Sequence, residues 1–248
     1  MGLNRVNEEM TDLDDFVGST MLDEVLGVVK SGKEATVYCA RAGERLGGGL
    51  VAAKVYRART VRQFANAAVY NAGRFRQRHR REERAMETRT RFGQETAFAK
   101  WVAGEYETLR LLHDAGVCVP RPLASSERII LMEYVGDEAE PGAPLTNIPL
   151  SAAEAARLFD TLIRNVERML ACDRVHGDLS PYNVLYHDGE IRIIDLPQAV
   201  DARFNPNALD LLDRDVDNLC RHFARFGVQS DSWRLSRTMW ARYLRSEL

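Results

Sequence analysis

The sequence predicts an α+β fold in which a strand-rich first half is followed by a helical second half. Three observations support this prediction: strand-like alternation before residue 57, helical spacing from about residue 95, and three further helical patterns after residue 150. With 248 residues, the chain is long enough to bury a sizeable core in one large domain or two small lobes. The order of the two halves favours two lobes with a cleft between them.

The strands of the first half are predicted in three segments. Two extended stretches flank a polar turn in "DEVLGVVKSGKEATVYCARA", and their alternation is clearest in "ATVYCA". The segment "LVAAKVYRA" follows the glycine run at 47–49 and reads as a third strand. A later apolar run, "RIILMEYV", is typical of a buried strand.

Between these strands, the spacing predicts a helix from about Glu95 to Ala115, with Gly116 as its stop signal. One stripe of this helix, at steps of three and four residues, contains Phe98, Trp101, Glu105, Leu109 and Leu112.

The second half begins near a connector rich in proline and glycine, "GDEAEPGAPLTNIP". Ser151 is expected to cap a helix that runs to about Asp173, and Glu154 is expected to complete a capping box. Two terminal helices are predicted over roughly 206–226 and 230–247.

These patterns divide the chain into three parts. We place an N-terminal extension, which could be disordered, at 1–20, a first lobe at 21–135 and a second lobe at 136–248. The first lobe carries an arginine-rich insertion at about 57–94. From Arg57 to Arg91 there are 11 arginines, no lysine and three glutamates, although the whole chain has a formal charge of −2. Such a block is either a solvated surface or a contact for phosphates or an acidic partner.

Composition also limits the location of the protein. The four cysteines lie far apart without a C-x-x-C pair, which predicts neither a disulfide framework nor a zinc ribbon and favours a cytoplasmic protein. The acidic start lacks the apolar core of a signal peptide, and no apolar run reaches the length of a membrane span. No membrane partner is therefore expected.

The stretch "VHGDLSPYNVLYHDGEIRIIDLPQ" combines two acids and an amide within a short window. Asp178 lies five residues before Asn183, with Pro181 forcing a turn between them, and Asp195 is the last residue of the predicted strand "RIID". A loop bent in this way can aim one carboxylate at a hydroxyl while the amide and the second carboxylate share Mg²⁺, as phosphoryl transfer requires. The alternative is structural: two turn residues and an acid at a strand end.

Two isolated charges support the chemical interpretation. Lys54 interrupts an apolar strand, and Glu105 lies on the apolar stripe of its helix. A buried ion pair between them would satisfy both and direct the lysine at nucleotide phosphates. The alternative is that Lys54 extends its amine to solvent and Glu105 lies at the margin of the stripe.

A turn between the first two strands is the candidate phosphate loop. The segment from Gly27 to Lys33 has the spacing of a Walker A loop, but Glu34 replaces the required Ser or Thr and a strand pattern follows instead of a helix. We therefore reject a Walker A loop. A strand–turn–strand loop fits better, with these residues over the phosphates: Ser31, Gly32, Lys33, Glu34 and Ala35.

Taken together, the motifs resemble those of the RIO family of atypical protein kinases. The matching segments occur in order from about residue 22 to residue 227: "SGKEATVY", "AAKVY", "WVAGEYETL", "LMEYVG", "HGDLSPYNVLYHDG" and "IIDLPQAV". The pattern "HGDxxxxN" alone is weak, whereas "SGKEA" coupled to "HGDLSxYNxLY" is rather specific.

The resemblance implies a two-lobed, protein-kinase-like fold that binds ATP with Mg²⁺ or Mn²⁺. Lys54 matches the strand lysine of the family and Glu105 matches its helix partner. Asp178 matches the catalytic acid, and Asn183 and Asp195 match the metal ligands.

Further roles are implied in the same way. Met132 would back the adenine, and the backbone of Glu133 and Val135 would hydrogen-bond the adenine edge. Asp215 resembles the helix acid that braces the catalytic loop, although an exposed helical Asp would look the same in sequence. In some relatives an acyl-phosphate forms on the metal-binding aspartate, which here would be Asp195.

Only 19 residues separate Asp195 from Asp215, so the activation segment is truncated and the platform for an extended peptide is missing. We therefore expect poor activity on generic peptides, with autophosphorylation or slow ATP hydrolysis favoured. Members of the family work in ribosome maturation, so RNA or a ribosomal particle could bind through 57–91; unchanged co-sedimentation after arginine-to-serine replacement would argue against this.

The leading hypothesis is an ATP- and Mg²⁺-dependent serine/threonine protein kinase or ATPase that acts on a protein or on itself. One alternative is a small-molecule phosphotransferase of the aminoglycoside or choline type, but only about 50 residues follow Asp195 and could build its acceptor pocket. The other is a nucleotide-gated binding module in ribosome assembly, which turnover slower than nucleotide exchange would favour.

Overall fold

The computed structural model describes residues 13–57 and 91–248, apart from the side chains at 91, 92 and 94. The described residues form two compact units. The first contains 13–57, 91–107 and 121–141, and the second contains 108–120 and 142–248. Most of the arginine-rich insertion and of the N-terminal extension lies outside the described residues, and the lobe boundary after residue 135 stays a prediction.

The first unit is built on a five-stranded antiparallel sheet with the order β1-β2-β3-β5-β4. Its strands are β1 Leu22–Ser31, β2 Ala35–Ala42, β3 Leu50–Tyr56, β4 Pro122–Ser125 and β5 Ile129–Glu133. The sequence predicted all of these strands except β4, which is only four residues long and begins with proline.

The two faces of this sheet differ in burial. One face forms a core with Tyr38, Val51 and Leu131, and Leu13 and Phe16 from a helical stretch at 13–18 cover it. Burying such large apolar side chains stabilises the unit by roughly 1.5–3 kcal/mol each. The covered face therefore supplies the hydrophobic core of the first unit. The other face of the sheet is less buried.

The register defines the second face. Lys54 pairs with Val37 and Ile130, and Ala52 pairs with Cys39 and Met132. Because side chains two residues apart point to the same side of a strand, Ala52, Lys54 and Met132 share one face. Lys54 and Met132 are only partly buried there.

Helix α1 covers Arg91–Asp114, close to the predicted 95–115. Its buried side chains include the predicted Phe98, Glu105, Leu109 and Leu112, and also Val102. Trp101 is partly buried, with its ring centroid 4.9 Å from that of Tyr56 in an edge-to-face arrangement. This packing brings α1 onto the end of β3 within the first unit.

The second unit is mostly helical, as predicted. Its helices are α2 Ala152–Ala171, α3 Ala208–Ala224 and α4 Ser232–Leu244. Its small sheets contain β6 Ala143–Pro144, β7 Arg174–Val175, β8 Val184–His187, β9 Glu190–Ile193 and β10 Val200–Asp201. β8 and β9 form a hairpin, with β6 beside β8, and β7 pairs with β10. In the described segments, no helix is long and apolar enough to cross a bilayer.

The start of α2 corrects one local prediction. The Ser151 hydroxyl accepts the backbone N–H of Glu154 at 3.2 Å, so the predicted cap is present. The reciprocal half of the capping box does not form, because the Glu154 carboxylate accepts the Tyr186 hydroxyl at 2.5 Å instead. A tertiary partner has replaced the local one.

A buried histidine on α3 predicts a pH dependence of stability. His222 is 5% exposed, packs against the rings of Phe223 and Phe226, and within the described residues its Nε2 has no hydrogen-bond partner. Burial, with a contribution from Arg225, lowers the pKa of His222 below its usual 6.5. The unfolded chain therefore binds this proton first, and stability is expected to fall as the pH drops below about 6.5.

His222→Phe is expected to make that fall shallower, since the ring contacts remain and the titrating group is gone. Urea denaturation at pH 8 and pH 5.5 measures the difference. His113→Gln, which replaces a half-exposed histidine, is the control and should keep the slope of the parent. A His222→Phe protein with the parent's slope would contradict this prediction.

Candidate active site

The first unit contains the predicted ion pair. Lys54 Nζ on β3 lies 2.8 Å from Glu105 Oε1 on α1, and the two side chains are 12% and 6% exposed. This predicted pairing is confirmed. Tyr56, which the sequence had not indicated, donates its hydroxyl to Glu105 Oε2. Burial and the neighbouring Glu105 raise the pKa of Tyr56 well above its usual value, so the phenol stays a donor.

Two donors on separate carboxylate oxygens fix the position of Glu105. A buried carboxylate without such partners would carry a large desolvation cost. The arrangement in turn holds the Lys54 ammonium on the partly exposed face of the sheet, beside Ala52 and Met132.

The β1–β2 turn is closed by a hydrogen bond from the Gly32 N–H to the Ala35 oxygen, 2.9 Å long. Ser31, Gly32 and Lys33 are exposed, and Glu34 and Ala35 are partly buried. The predicted phosphate loop is therefore a tight hairpin turn whose tip faces solvent.

The end of β5 carries the residues predicted to contact adenine. The N–H of Glu133 donates to the Arg121 oxygen at 2.8 Å, and the N–H of Arg121 donates to Glu133 Oε2 at 2.9 Å. These bonds fix the backbone around Met132 and Glu133. Val135 follows two residues later and is partly buried. The adenine contacts remain predictions.

Exposed apolar residues of β1 were missed by the sequence interpretation. Leu26 is 45% exposed, Val28 is 58% exposed and Val29 is 36% exposed. Large apolar side chains concentrated on one exposed strand are a signature of a binding surface. A sheet with one buried face needs apolar residues only at alternate positions. The consecutive apolar residues Val28 and Val29 were therefore a signal in the sequence that could have indicated this exposure.

In the second unit, the loop at 176–183, the predicted catalytic loop, exposes the carboxyl-bearing residue Asp178. Asp178 is exposed although its neighbours Gly177 and Leu179 are buried. Gly177 has φ 78°, and a Cβ there would come within 2.8 Å of the Gln198 oxygen, so only glycine fits without strain. The loop thus presents one carboxylate from an otherwise packed backbone.

The side chain of Asp215, on α3, is hydrogen-bonded to the backbone of this loop. Its side chain is 1% exposed, and its two oxygens accept the N–H groups of Gly177 and Leu179 at 2.8 Å each. Burial raises the pKa of Asp215 to about 7, although both backbone donors favour the carboxylate. The observed burial excludes the exposed helical Asp that the sequence had left open.

The two predicted metal ligands lie at the same end of the β8–β9 hairpin. Val184 pairs with Ile193, and the Asn183 oxygen accepts the N–H of Ile194 at 2.9 Å. The Asn183 amide nitrogen donates to the Asp178 oxygen at 2.9 Å, so its Oδ1 is the side-chain atom suited to a metal. Asn183 is thus bonded through its side chain to the backbone of Asp178 and through its backbone to Ile194, the residue before Asp195.

Asp195 differs from the prediction in one detail. Strand β9 ends at Ile193, two residues before Asp195, rather than at Asp195 itself. Asp195 has φ 67° and is exposed. This left-handed conformation is uncommon for a residue other than glycine and is frequent at functional sites. The β8–β9 ladder ends at the pair Val184–Ile193, so Asp195 lies beyond it.

His176 connects the two parts of the loop. Its Nε2 lies 3.1 Å from the Ile194 oxygen, and its Nδ1 lies 3.3 Å from the N–H of Asp178. Burial lowers the pKa of His176, so the neutral ring can donate through Nε2 and accept through Nδ1. The sequence interpretation had passed over this residue, although its place two positions before Asp178 was a signal.

Two side chains of α3 complete the support for this loop and were also missed. Arg214 donates to the Gly177 oxygen, and Asn218 Nδ2 donates to the Leu179 oxygen at 2.9 Å. Asn218 lies three residues after Asp215 and four after Arg214, so the three side chains share one side of α3. That spacing was visible in the sequence.

The short segment after Asp195 is held by ion pairs. Asp201 Oδ2 contacts Arg174 at 3.0 Å and Arg203 at 2.7 Å, and Arg203 also contacts Asp173 at 3.2 Å. Burial alone would raise the pKa of Asp201, but hydrogen bonds from Arg203 and the charge of Arg174 lower it below its usual value. The network fixes the segment beside β7.

The donor set fits Mg²⁺ together with phosphates. Mg²⁺ is usually held by one or two carboxylates plus substrate phosphates and water. Asn183 Oδ1 and the exposed Asp195 carboxylate are oxygen donors on adjoining backbone. Over the described ranges there is no cluster of three or more His, Cys, Asp or Glu residues suited to a metal.

Comparison with known proteins gives a consistent result. Residues 36–235 match the RIO domain family. Serine/threonine-protein kinase RIO1 of Caenorhabditis elegans is 32% identical over 206 residues, which are 82% of this chain and 37% of that protein. RIO-type serine/threonine-protein kinase Rio1 of Haloferax volcanii is 31% identical over 210 residues, covering 85% of this chain and 67% of that protein.

A solved structure has the same fold. The crystal structure of the Rio2 kinase-ADP/Mg²⁺-phosphoaspartate complex from Chaetomium thermophilum matches with a TM-score of 0.63 and 21% identity, over 94% of this chain and 69% of that one. The predicted kinase-like α+β fold is thereby confirmed.

The chain belongs to the RIO family, as its motifs indicated. It spans little more than a third of the Caenorhabditis elegans relative.

Proposed function

We propose that this protein is an ATP- and Mg²⁺-dependent serine/threonine protein kinase of RIO type, with ATPase activity when no acceptor is bound. The observation that carries the proposal is the catalytic loop, in which Asn183 is bonded both to Asp178 and to the residue before Asp195. This arrangement suits a proton acceptor beside a divalent ion. The names of the relatives support the same reaction class.

The residues of the second unit have separate roles. Asp178 orients the acceptor hydroxyl, or a water molecule, and takes its proton. Asn183 Oδ1 and the Asp195 carboxylate hold Mg²⁺, which neutralises the charge of the phosphates when it is bound. His176 and Asp215 keep the loop in place through its backbone.

The residues of the first unit bind the nucleotide. Lys54, fixed by Glu105, contacts the α- and β-phosphates, and the β1–β2 turn lies over the phosphate chain. Met132 backs the adenine, while the Glu133 carbonyl and the Val135 N–H bond its edge.

The acceptor is a serine or threonine of this chain or of a dedicated protein partner. The short segment after Asp195 is pinned by Asp201 and Arg203, which leaves little backbone for an extended peptide to pair with. A phosphate on Asp195 itself is a further outcome, because the similar Chaetomium thermophilum structure is a phosphoaspartate complex. The four free cysteines support a reducing, cytoplasmic location, and RNA binding through 57–91 stays a prediction for residues mostly outside the described ranges.

Lys54→Met is expected to weaken ATP binding by roughly tenfold or more, because a charge contact to phosphate is lost. The change also leaves the buried Glu105 with only Tyr56 as its described charge-stabilising partner, so thermal stability should fall. Isothermal titration with ATP and a thermal melt measure the two effects. Lys100→Met, an exposed lysine of the same helix as Glu105, is the control and should change neither. An unchanged ATP affinity in Lys54→Met would contradict the role of Lys54.

The function is tested by incubating the protein with γ-labelled ATP and Mg²⁺. Label on serine or threonine, resistant to hydroxylamine, is the expected result. Label lost in hydroxylamine would show an acyl-phosphate instead, and loss of that label in Asp195→Asn would assign it to Asp195. Transfer to amino alcohols, with none to protein, would replace the proposal by the small-molecule phosphotransferase. Absence of all turnover despite ADP binding would favour the nucleotide-gated module.

A further inference from the structure

We propose that Arg57 is a positioning residue for the nucleotide phosphates, which it serves by bracing the β1–β2 turn. This inference rests on the proposed function. By sequence, Arg57 is the first residue of the arginine-rich block, whose arginines are candidates for RNA contact. The structure assigns it to the nucleotide loop instead.

The guanidinium of Arg57 makes three hydrogen bonds to the turn. Its Nη1 donates to the Gly32 oxygen at 2.5 Å, and its Nη2 donates to Ser31 Oγ and Thr36 Oγ1 at 2.8 Å each. The backbone N–H of Arg57 also donates to the Glu34 oxygen at 2.9 Å. One residue thus binds four acceptors of a single short hairpin turn.

These bonds orient the amide groups of the turn. In a trans peptide unit the oxygen and the following N–H point in opposite directions, and the described backbone contains no cis bond. Because the oxygens of Gly32 and Glu34 point to Arg57, the N–H groups of Lys33 and Ala35 point away from it. These two N–H groups, on the side of the turn away from Arg57, are the backbone donors that the proposal offers to phosphate oxygens.

Only an arginine is suited to this position. Its planar fork offers five N–H donors with a fixed geometry, whereas a lysine ammonium is a single charged point. The fork spans Ser31, Gly32 and Thr36 at once and also brings a positive charge next to Ser31, which is predicted to face the phosphates. The positive charge of Arg57 and its hydrogen bonds to the turn both strengthen the binding of a phosphate ligand.

The test compares two ligands by isothermal titration: ADP with Mg²⁺, and adenosine, which has no phosphate. Arg57→Ala is expected to weaken ADP binding about tenfold and to leave adenosine binding within about twofold of the parent. Arg57→Lys should recover only a minor part of the loss, since the fork is missing. Arg45→Ala is the matched control and should change neither affinity, since Arg45 is an exposed arginine of the same unit whose side chain, among the described residues, donates to the Ser19 oxygen.

A double-mutant cycle with Ser31→Ala adds a second measure. Since Ser31 is braced by Arg57, the two changes should weaken ADP binding by less than the product of their separate effects. Parent-like ADP affinity in Arg57→Ala would overturn the inference, as would an equal loss of adenosine and ADP. A parent protein that binds neither ligand would overturn the proposed function itself.

Discussion

Asp178→Asn is expected to lower phosphoryl transfer by roughly 10²–10⁴-fold while ADP still binds. The amide has the shape of the carboxylate but cannot take the proton of the acceptor hydroxyl. The substitution should leave the loop folded, because Asp178 is held through its backbone: its N–H meets His176 and its oxygen meets the Asn183 amide. The substitution is therefore expected to lower the rate of phosphoryl transfer and to leave the affinity for ADP unchanged.

Labelling by γ-labelled ATP and titration with ADP measure the two quantities on the same preparation. Asp188→Asn is the matched control, since Asp188 is exposed in the β8–β9 turn at φ 47°, a conformation that asparagine tolerates. It should label as the parent does. If Asp178→Asn were labelled at the rate of the parent, Asp178 would not be the proton acceptor.

Asp215→Ala is expected to cost both stability and activity. It would leave the N–H groups of Gly177 and Leu179 buried without their acceptors, and each unsatisfied donor costs about 1–3 kcal/mol. A loss of about 2–6 kcal/mol is expected, a large part of the stability of an ordinary domain. Transfer should fall too, since these two N–H groups flank Asp178.

Urea denaturation gives the free energy of unfolding, and the labelling rate of the folded fraction gives the activity. Asp215→Asn keeps one accepting oxygen and should lie between Asp215→Ala and the parent. Asp210→Ala, an exposed acid on the first turn of the same helix, should change stability by under about 1 kcal/mol. Equal stability of Asp210→Ala and Asp215→Ala would show that the buried bonds contribute little.

The sequence could predict the contact between Lys54 and Glu105, which lie 51 positions apart. The signal was local: each charge stood on an otherwise apolar face, and burial of one requires the other. The helices of the second unit were predicted for a similar reason, because α2 and α3 each have a clear apolar stripe.

Other features depended on tertiary partners that no local pattern reveals. Tyr56, at an ordinary strand position, donates a second hydrogen bond to Glu105. The Glu154 carboxylate accepts the Tyr186 hydroxyl instead of the backbone N–H of Ser151 that a capping box would use. Strand β9 ends at Ile193, and Asp195 beyond it has a left-handed conformation that the apolar pattern of the strand does not reveal. The role of Arg57 was hidden within a run of similar residues.

The proposed function depends most on Asn183 and Asp195 sharing one divalent ion with the nucleotide. Electron paramagnetic resonance titration of Mn²⁺ in the presence of ADP tests this directly. We predict one ADP-dependent Mn²⁺ site in the parent, weakened at least about tenfold by Asn183→Ala and by Asp195→Ala. It should be unchanged by Tyr182→Ala, which removes an exposed ring from the same loop. Parent-like Mn²⁺ affinity in both the Asn183 and the Asp195 variants would contradict the shared-ion site.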